Sequence, residues 1–449
     1  MTAEGWLARW HEPAAGALYL HVPFCARKCA YCDFASWATA AGDPLMGAYA
    51  AALRAQLSEA RAAGLLEGCA TAYVGGGTPT LLPDAELGAL VAAVREAAPG
   101  VAELTCEANP DSLLDTTLRT LISAGATRLS IGVQSLDDAE LAALGRLHDA
   151  RAARERVAAA VGTGLDVSVD LMCAIPHQTA ASWDATLEGA LALGVGHVSV
   201  YPLSIEEGTP LAARVAAERQ ATRAAAAARA SRPAADPDYP PWNDPDVQAD
   251  RMLRARDVAA AHGMARYEVA SHALPGHECR HNLAYWTGVP YLGLGTGAAS
   301  MLTREGYERL RAVAPQLPAP PSGAERAARA RLTVTSGRRH VSAHPALAEQ
   351  AFDVEWLSAR EVAAEDLMLG ARLARGLDPA LVSLAHAERE VAALARGGYL
   401  GSLGTGPDDP FFGSSGPVPN DPPTYAPTDK GWLQGNALFA RLWALADGE

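Results

Sequence analysis

Between Leu18 and about Leu203, short β-branched or apolar runs alternate with longer amphipathic segments, and this rhythm limits the fold more than any other feature. The runs Leu18–Val22, Thr71–Val74, Glu103–Glu107, Arg128–Gly132, Val167–Leu171 and His197–Tyr201 have the length and residue types of strands. Helical patterns lie between them at Leu45–Ala63, Asp84–Ala97, Ser112–Ala124, Ala150–Val161 and Ala180–Leu193. Asp84 and Ser112 stand where helix N-caps belong, Gly64 and Gly125 where helices stop. Strand–helix repetition of this kind predicts a parallel sheet. Six units suit a partial (β/α)6 TIM-like barrel, with functional residues at the carboxyl ends of the strands.

The chain has 449 residues, enough for two or three domains. The pattern predicts the barrel over 12–212 and an Ala/Arg/Pro-rich, low-complexity insertion over 213–245. A motif-dense region and connector follow over 246–355, opening on a helix at Asp246–Gly263, and then a helical, winged-helix-like domain over 356–449. In that last part the expected helices are Ala359–Arg375, Pro379–Arg396 and Gly431–Ala446, around a Gly/Pro-rich loop at 401–424. A formal net charge of −14 argues against nucleic acid as a partner, since phosphate binding relies on basic patches. No apolar run approaches the length of a membrane span. Seven cysteines are an odd count for a disulfide framework, and no secretory signal precedes Cys25. A reducing cytoplasm is therefore expected.

Directly after the first strand comes His21-Val-Pro-Phe-Cys-Ala-Arg-Lys-Cys-Ala-Tyr-Cys-Asp-Phe34, with Cys25, Cys29 and Cys32 spaced C-x3-C-x2-C. A cubane iron–sulfur cluster normally takes four thiolates. Three on one short loop leave one iron open to a small molecule. Zinc also takes clustered thiolates but wants a fourth ligand, for which only His21 or Asp33 lies near. The second strand runs into Tyr73-Val-Gly-Gly-Gly-Thr-Pro-Thr80, where Gly76, Gly77 and Thr78 allow backbone N–H groups to approach a ligand. Later strands end on Glu107, on Gln134 and on Asp170, and Arg146 follows in Leu144-Gly-Arg-Leu-His148. Singly, each could cap a helix or hold a salt bridge. Together they form a polar ring suited to a ribose, an ammonium and a carboxylate.

The cysteine spacing, with Tyr31 before the last cysteine, resembles the radical S-adenosylmethionine superfamily. With Tyr19-Leu-His-Val-Pro-Phe-Cys25, Glu107-Ala-Asn-Pro110, Gly132-Val-Gln-Ser135 and Cys279-Arg-His-Asn-Leu-Ala-Tyr-Trp286, residues 15–300 look like the HemW heme chaperones. These are relatives of oxygen-independent coproporphyrinogen dehydrogenase. The resemblance implies a 4Fe–4S cluster on Cys25, Cys29 and Cys32. It implies S-adenosylmethionine among Tyr19, Tyr31, Gly76, Gly77, Thr78, Glu107, Gln134, Arg146 and Asp170. It also implies heme near His281, Asn282, Tyr285 and Trp286, handed on to acceptor apo-hemoproteins, with a homodimer left open.

The dehydrogenases carry a further cysteine two positions after the third ligand and a longer segment ahead of the loop. This chain has Phe34 at that position, the chaperone pattern, so no catalytic residue is assigned and coproporphyrinogen decarboxylation is the alternative. A neutral His281 imidazole suits heme iron, Tyr285 and Trp286 suit a porphyrin face, and Arg280 or Arg266 a propionate. Spacing alone fits a turn cap and an interdomain core better; the resemblance reverses that preference. Departures fall in this region. Ala270-Ser-His-Ala273 stands where Ser-Asn-Phe-Ala is usual, and Gly297-Ala-Ala-Ser300 loses a histidine at Ala299, for which His272 is a candidate replacement. Ala174-Ile-Pro-His-Gln-Thr179 replaces Gly-Leu-Pro-Gly-Gln-Thr. Cys69, Cys106 and Cys173 read as core residues and Cys279 as a bystander.

Overall fold

The computed structural model describes residues 14–228, 240–323, 327–402 and 424–447. Residues 229–239 of the expected insertion and nearly all of the 401–424 loop lie outside the described residues. All six expected strands form: β1 (Ala17–Val22), β2 (Thr71–Gly76), β3 (Glu103–Ala108), β4 (Arg128–Gln134), β5 (Asp166–Cys173) and β6 (His197–Pro202). They pair in parallel and in chain order. Six further strands extend this sheet: β7 (Ala265–Arg266), β8 (Ser271–Ala273), β9 (Tyr291–Leu294), β10 (Ala299–Thr303), β11 (Arg329–Val334) and β12 (Phe352–Leu357). The order is β12-β11-β10-β9-β1-β2-β3-β4-β5-β6-β8-β7. β9 is a seventh parallel strand, on the free side of β1, and both ends of the sheet are antiparallel.

The crossovers carry α1 (Pro44–Ala62), α2 (Asp84–Ala97), α3 (Asp115–Ala124), α4 (Asp138–Leu144), α5 (Ala150–Val161) and α6 (Ala180–Leu191). Two cap expectations need correction. Pro83 takes the cap position of α2, and Asp84, its first helical residue, instead accepts a 2.8 Å hydrogen bond from Thr117. Leu114 precedes α3, while the Ser112 hydroxyl donates to the Asn109 carbonyl in the turn before it. Gly125 does end α3 in the left-handed conformation, with φ +98°.

Alternation along each strand decides what the sheet encloses. Val74, Leu104, Ile131, Val169 and Val200 are fully buried in the main hydrophobic core, on the face the helices cover. Their neighbours Tyr73, Thr105, Ser130, Ser168 and Ser199 face the other way and line one cavity. Side chains from β2 through β6 reach that single space, so the sheet curls around it as part of a barrel. Closed barrels of this type fill their interior with branched apolar residues. Here hydroxyl and charged side chains replace some of that bulk and leave a cavity of about 430 Å³.

Two helices, α7 (Pro210–Ala228) and α8 (Pro245–Ala261), flank the undescribed stretch, and α9 (Arg280–Trp286) follows. Beyond β12 the helix Ala359–Gly370 forms as expected but shorter. The expected Pro379–Arg396 helix is two, Pro379–Leu384 and Glu388–Arg396, broken where His386 takes φ +51°. Asp429–Leu433 and Gly435–Trp443 replace a single last helix, and Leu400–Ser402 pairs with Tyr425–Pro427. Leu367, Leu381, Leu394 and Leu438 make a second core among these elements.

Arg329 on β11 and Asp366 on the helix Ala359–Gly370 form a doubly bonded ion pair, at 2.6 and 3.0 Å, with both side chains out of solvent. Breaking one half of such a pair strands a buried charge, at a cost of about 3–5 kcal/mol. Asp366→Asn is expected to lower the thermal midpoint more than the apolar double change Arg329→Met with Asp366→Leu. Equal losses in a thermal melt would contradict this.

Candidate functional site

Seven parallel strands start at one end of the sheet and finish at the other, so the site has a mouth at their carboxyl ends and a floor at their amino ends. Glu103 to Glu107 spans that depth on β3, roughly 13 Å. Cys25, Cys29 and Cys32 lie at the mouth, all as free thiols lining the cavity. Their loop is held by a short parallel pairing of Phe24–Cys25 with Trp37–Ala38. His21 ties it from below. Its Nε2 donates to the Ala35 carbonyl at 2.9 Å, so its Nδ1 accepts from the Tyr19 hydroxyl at 3.0 Å.

The glycine turn after β2 passes directly beneath this loop. Gly77 N–H donates to the Val22 carbonyl at 2.9 Å and Thr78 N–H to the Phe24 carbonyl at 2.7 Å. A Cβ on Gly77 would sit 2.6 Å from the Phe24 carbonyl oxygen. One on Gly76, at φ +111°, would sit 2.5 Å from the His21 ring. Only glycine permits this approach.

Around the mouth the expected polar ring is assembled. Glu107 is locked by the Tyr73 hydroxyl at 2.9 Å and the Gly76 N–H at 2.9 Å. Burial pushes its carboxyl up to about 7, against those two hydrogen bonds. Burial likewise pushes Asp170 up to about 6, opposed by hydrogen bonds from Ser130 and Ser199. Arg146 donates to Asn109 and to the Gly132 carbonyl, both at 2.7 Å, and places Nη1 3.4 Å from the Cys29 sulfur. Its buried Nε has no partner. The Thr78 hydroxyl points at the Cys25 sulfur at 3.7 Å. Gln134 sits after a bulge in β4 with φ +67°, a strained conformation for a non-glycine residue.

Of the residues expected to hold S-adenosylmethionine, Tyr31, Gly76, Gly77, Thr78, Glu107, Gln134, Arg146 and Asp170 line the cavity with the three cysteines. Tyr19 stands behind, reaching the loop through His21 and stacking on Tyr73 at 6.3 Å between ring centroids. Spacing could not reveal Asn109, which bridges Thr78 and Arg146 and was visible only as part of the motif after Glu107. Among the described residues no three His, Cys, Asp or Glu side chains gather around a point that a single ion could fill. The donor set instead fits a cubane cluster: three thiols share a cavity edge, donors point at two of the sulfurs, and one guanidinium nitrogen is left over.

The residues expected at heme lie at the opposite end. α9 crosses the floor, its first N–H groups bound by Glu103, from Arg280 and from His281 at 2.9 Å each. His281 is 1% exposed, and both ring nitrogens are engaged, Nδ1 with Thr71 at 3.0 Å and Nε2 with the Tyr285 hydroxyl at 3.2 Å. Burial pulls its pKa down to about 3, so the ring is neutral. Its ring stacks on Tyr73, 5.1 Å between centroids. Of this group only Asn282 lines the cavity, with Cys279 beside it. His272 is buried in β8, next to Ser271, whose hydroxyl reaches Ser199; both of its ring nitrogens lack a partner.

Residues 19–190 match the radical SAM superfamily model, and the chain has the radical SAM α/β fold. A 4Fe–4S cluster and S-adenosylmethionine are implied for that family. The chain is 36% identical to the heme chaperone HemW of Mycobacterium tuberculosis over 385 residues, 85% of this chain and 87% of that protein. It is 33% identical to the Escherichia coli HemW over 290 residues, 64% of this chain and 70% of that one. It belongs to the HemW family. The E. coli radical SAM enzyme coproporphyrinogen III oxidase shares the fold at 19% identity, with a TM-score of 0.67 over 99% of this chain and 93% of that one.

The raised carboxyls make stability depend on pH. Glu107 binds its proton more tightly folded (about 7) than unfolded (4.5), so its contribution falls as pH rises through that window. The total is on the order of 3 kcal/mol. Glu107→Gln is expected to raise the melting temperature at pH 8 and to flatten its fall between pH 5 and 8. An unchanged pH slope would contradict the assignment.

Proposed function

We propose that this protein is a heme chaperone of the cytoplasm. It binds heme, a 4Fe–4S cluster and exchangeable S-adenosylmethionine, and passes heme to an acceptor apo-hemoprotein. The observation that carries this reading is an intact His281-Asn-Leu-Ala-Tyr-Trp286 helix packed against the cofactor pocket through Tyr73, in a chain of the HemW family. Phe34, where the dehydrogenase pattern has a fourth cysteine, is 61% exposed at the mouth and offers no further sulfur. Among the described residues no helix is long and apolar enough to cross a membrane.

When bound, the cluster supplies an open iron for the amine and carboxylate of S-adenosylmethionine and, once reduced, a single electron. The chain's own groups do the positioning. Cys25, Cys29 and Cys32 would hold the cluster, with Arg146 offsetting their negative charge from its place beside Cys29. Gly76 and Gly77 would bring backbone close to the methionine end, and Glu107, in its ionised form, would face the cofactor's ammonium. Asp170, held by Ser130, would take the ribose.

Heme ligation by His281 competes with the contacts that dock α9. Its imidazole must leave Thr71 and Tyr285 before either nitrogen can reach iron. Free protein then binds heme with an affinity reduced by the population of the released helix. Hemin titrated into cluster-loaded protein is expected to give a shifted Soret band that His281→Ala weakens at least tenfold. Thr71→Val, which loosens the docked ring by about 1 kcal/mol, is expected to tighten hemin binding severalfold. Conversion of coproporphyrinogen III with no response to hemin would replace the chaperone reading with the decarboxylase one. Weaker hemin binding in Thr71→Val would rule out helix release.

A further inference from the structure

The lower half of the barrel cavity holds polar groups that the mouth does not use. Arg128 and Thr105 are paired neighbours on β4 and β3, one inward position below Ser130 and Glu107. That step along a strand is roughly 7 Å. Both line the cavity and both are out of solvent, at 2% and 0% exposure. Arg128 Nη1 is engaged, donating to Asp166 at 2.5 Å and to the His277 carbonyl at 3.0 Å. Its buried Nη2 has no hydrogen-bond partner, and neither has the Thr105 hydroxyl.

A third donor is set by a relay through His197. Tyr267 accepts the Cys279 N–H at 3.2 Å, and its hydroxyl meets His197 Nε2 at 2.8 Å. Burial holds the His197 pKa well below its ordinary value, so the ring is neutral. With the ring proton on Nδ1, Tyr267 donates to Nε2 and Nδ1 donates to Ser168 Oγ at 2.7 Å. The other tautomer would leave the Tyr267 proton with no acceptor among the described residues. The Ser168 hydroxyl proton is therefore free, and Ser168 lines the same cavity. Charge then selects the ligand. Arg128 is already neutralised by Asp166, and the Glu103 carboxylate is bound by the first N–H groups of α9. The Cys279 thiol beside Glu103 stays protonated, because burial pushes its pKa up to about 12. No surplus positive charge at this depth would balance an incoming anion, and buried donors are almost always satisfied. Unpaired donors in such a place are complementary to a neutral acceptor, a carbonyl oxygen.

We propose that the lower barrel is a second binding site, for a small neutral molecule whose carbonyl oxygen is held by Arg128 Nη2 and Thr105. The ligand is a ketone, amide or lactam, not a carboxylate, and it lies beneath the residues that would hold S-adenosylmethionine. This binding needs neither heme nor release of α9, so it stands or falls apart from the chaperone reading.

Acetamide and acetate, alike in shape and different in charge, are the probes, titrated into the cluster-loaded full chain with and without S-adenosylmethionine. Binding is read by NMR as saturation transfer from the protein to each methyl signal. Acetamide is expected to bind roughly fivefold more tightly than acetate, which brings an unbalanced buried charge. Thr105→Val keeps the shape and removes the unpaired hydroxyl, and is expected to weaken acetamide about fivefold, the equivalent of one neutral hydrogen bond. Acetate binding as tightly as acetamide, no saturation transfer to acetamide, or an unchanged affinity in Thr105→Val overturns the proposal. Acetamide that binds only when S-adenosylmethionine is left out would make the floor part of the nucleotide's own site, and also overturns it. In a ligand-free melt Thr105→Val is expected to keep or raise the melting temperature, because the hydroxyl has no partner to lose. A lower melting temperature would mean that the hydroxyl is already satisfied within the fold, and the site would fall with it.

Discussion

The turn Gly75-Gly-Gly77 runs so close to the cysteine loop that no side chain fits between them, and the geometry of the site follows from that contact. Two backbone hydrogen bonds, from Gly77 to Val22 and from Thr78 to Phe24, register the end of β2 against the start of the loop. The same turn presents the Gly76 N–H to Glu107 and the Thr78 hydroxyl to Cys25. Sulfur donors, acidic group and backbone donors thus share one rigid frame, as preorganised sites require. Alanine at Gly77 would have to push apart two strands buried on their helix face.

Around that frame the barrel is hollow where related architectures are filled. Short hydroxyl residues at successive inward positions, Thr105, Ser130, Ser168 and Ser199, leave space and hydrogen-bonding capacity instead of bulk. The apolar face of each strand is fully covered by helices, so stability is carried outside the barrel and chemistry inside it. Tyr73 spans the two ends of the site. Its hydroxyl holds Glu107 near the mouth, and its ring carries His281 at the floor. The two ligand regions implied for the family are therefore on opposite sides of one aromatic residue.

Much of this was legible in the residues. The six parallel strands alternate too regularly to be misread, and each strand-end residue singled out from the motifs, Glu107, Gln134 and Asp170 among them, reaches the cavity. β9 was hidden because Tyr291-Leu-Gly-Leu294 is short and lies in a stretch dense with motif residues. β10 to β12 sit at the antiparallel edge of the sheet, where the strand–helix rhythm has ended. Spacing alone pointed to a turn or core role for the His281 group, and His281 is indeed buried, but its partners could not be read. Its motif announces a ligand, but Thr71 and Glu103, which hold it and its helix, lie 210 and 178 residues away in sequence.

The account stands on Cys25, Cys29 and Cys32 holding a cluster with one iron open. Iron, acid-labile sulfide and zinc analysis of the full chain prepared without oxygen tests that most directly. Four irons and four sulfides per chain, lost when any one of these cysteines is changed to alanine, is the predicted result. One zinc per chain with no sulfide would contradict it.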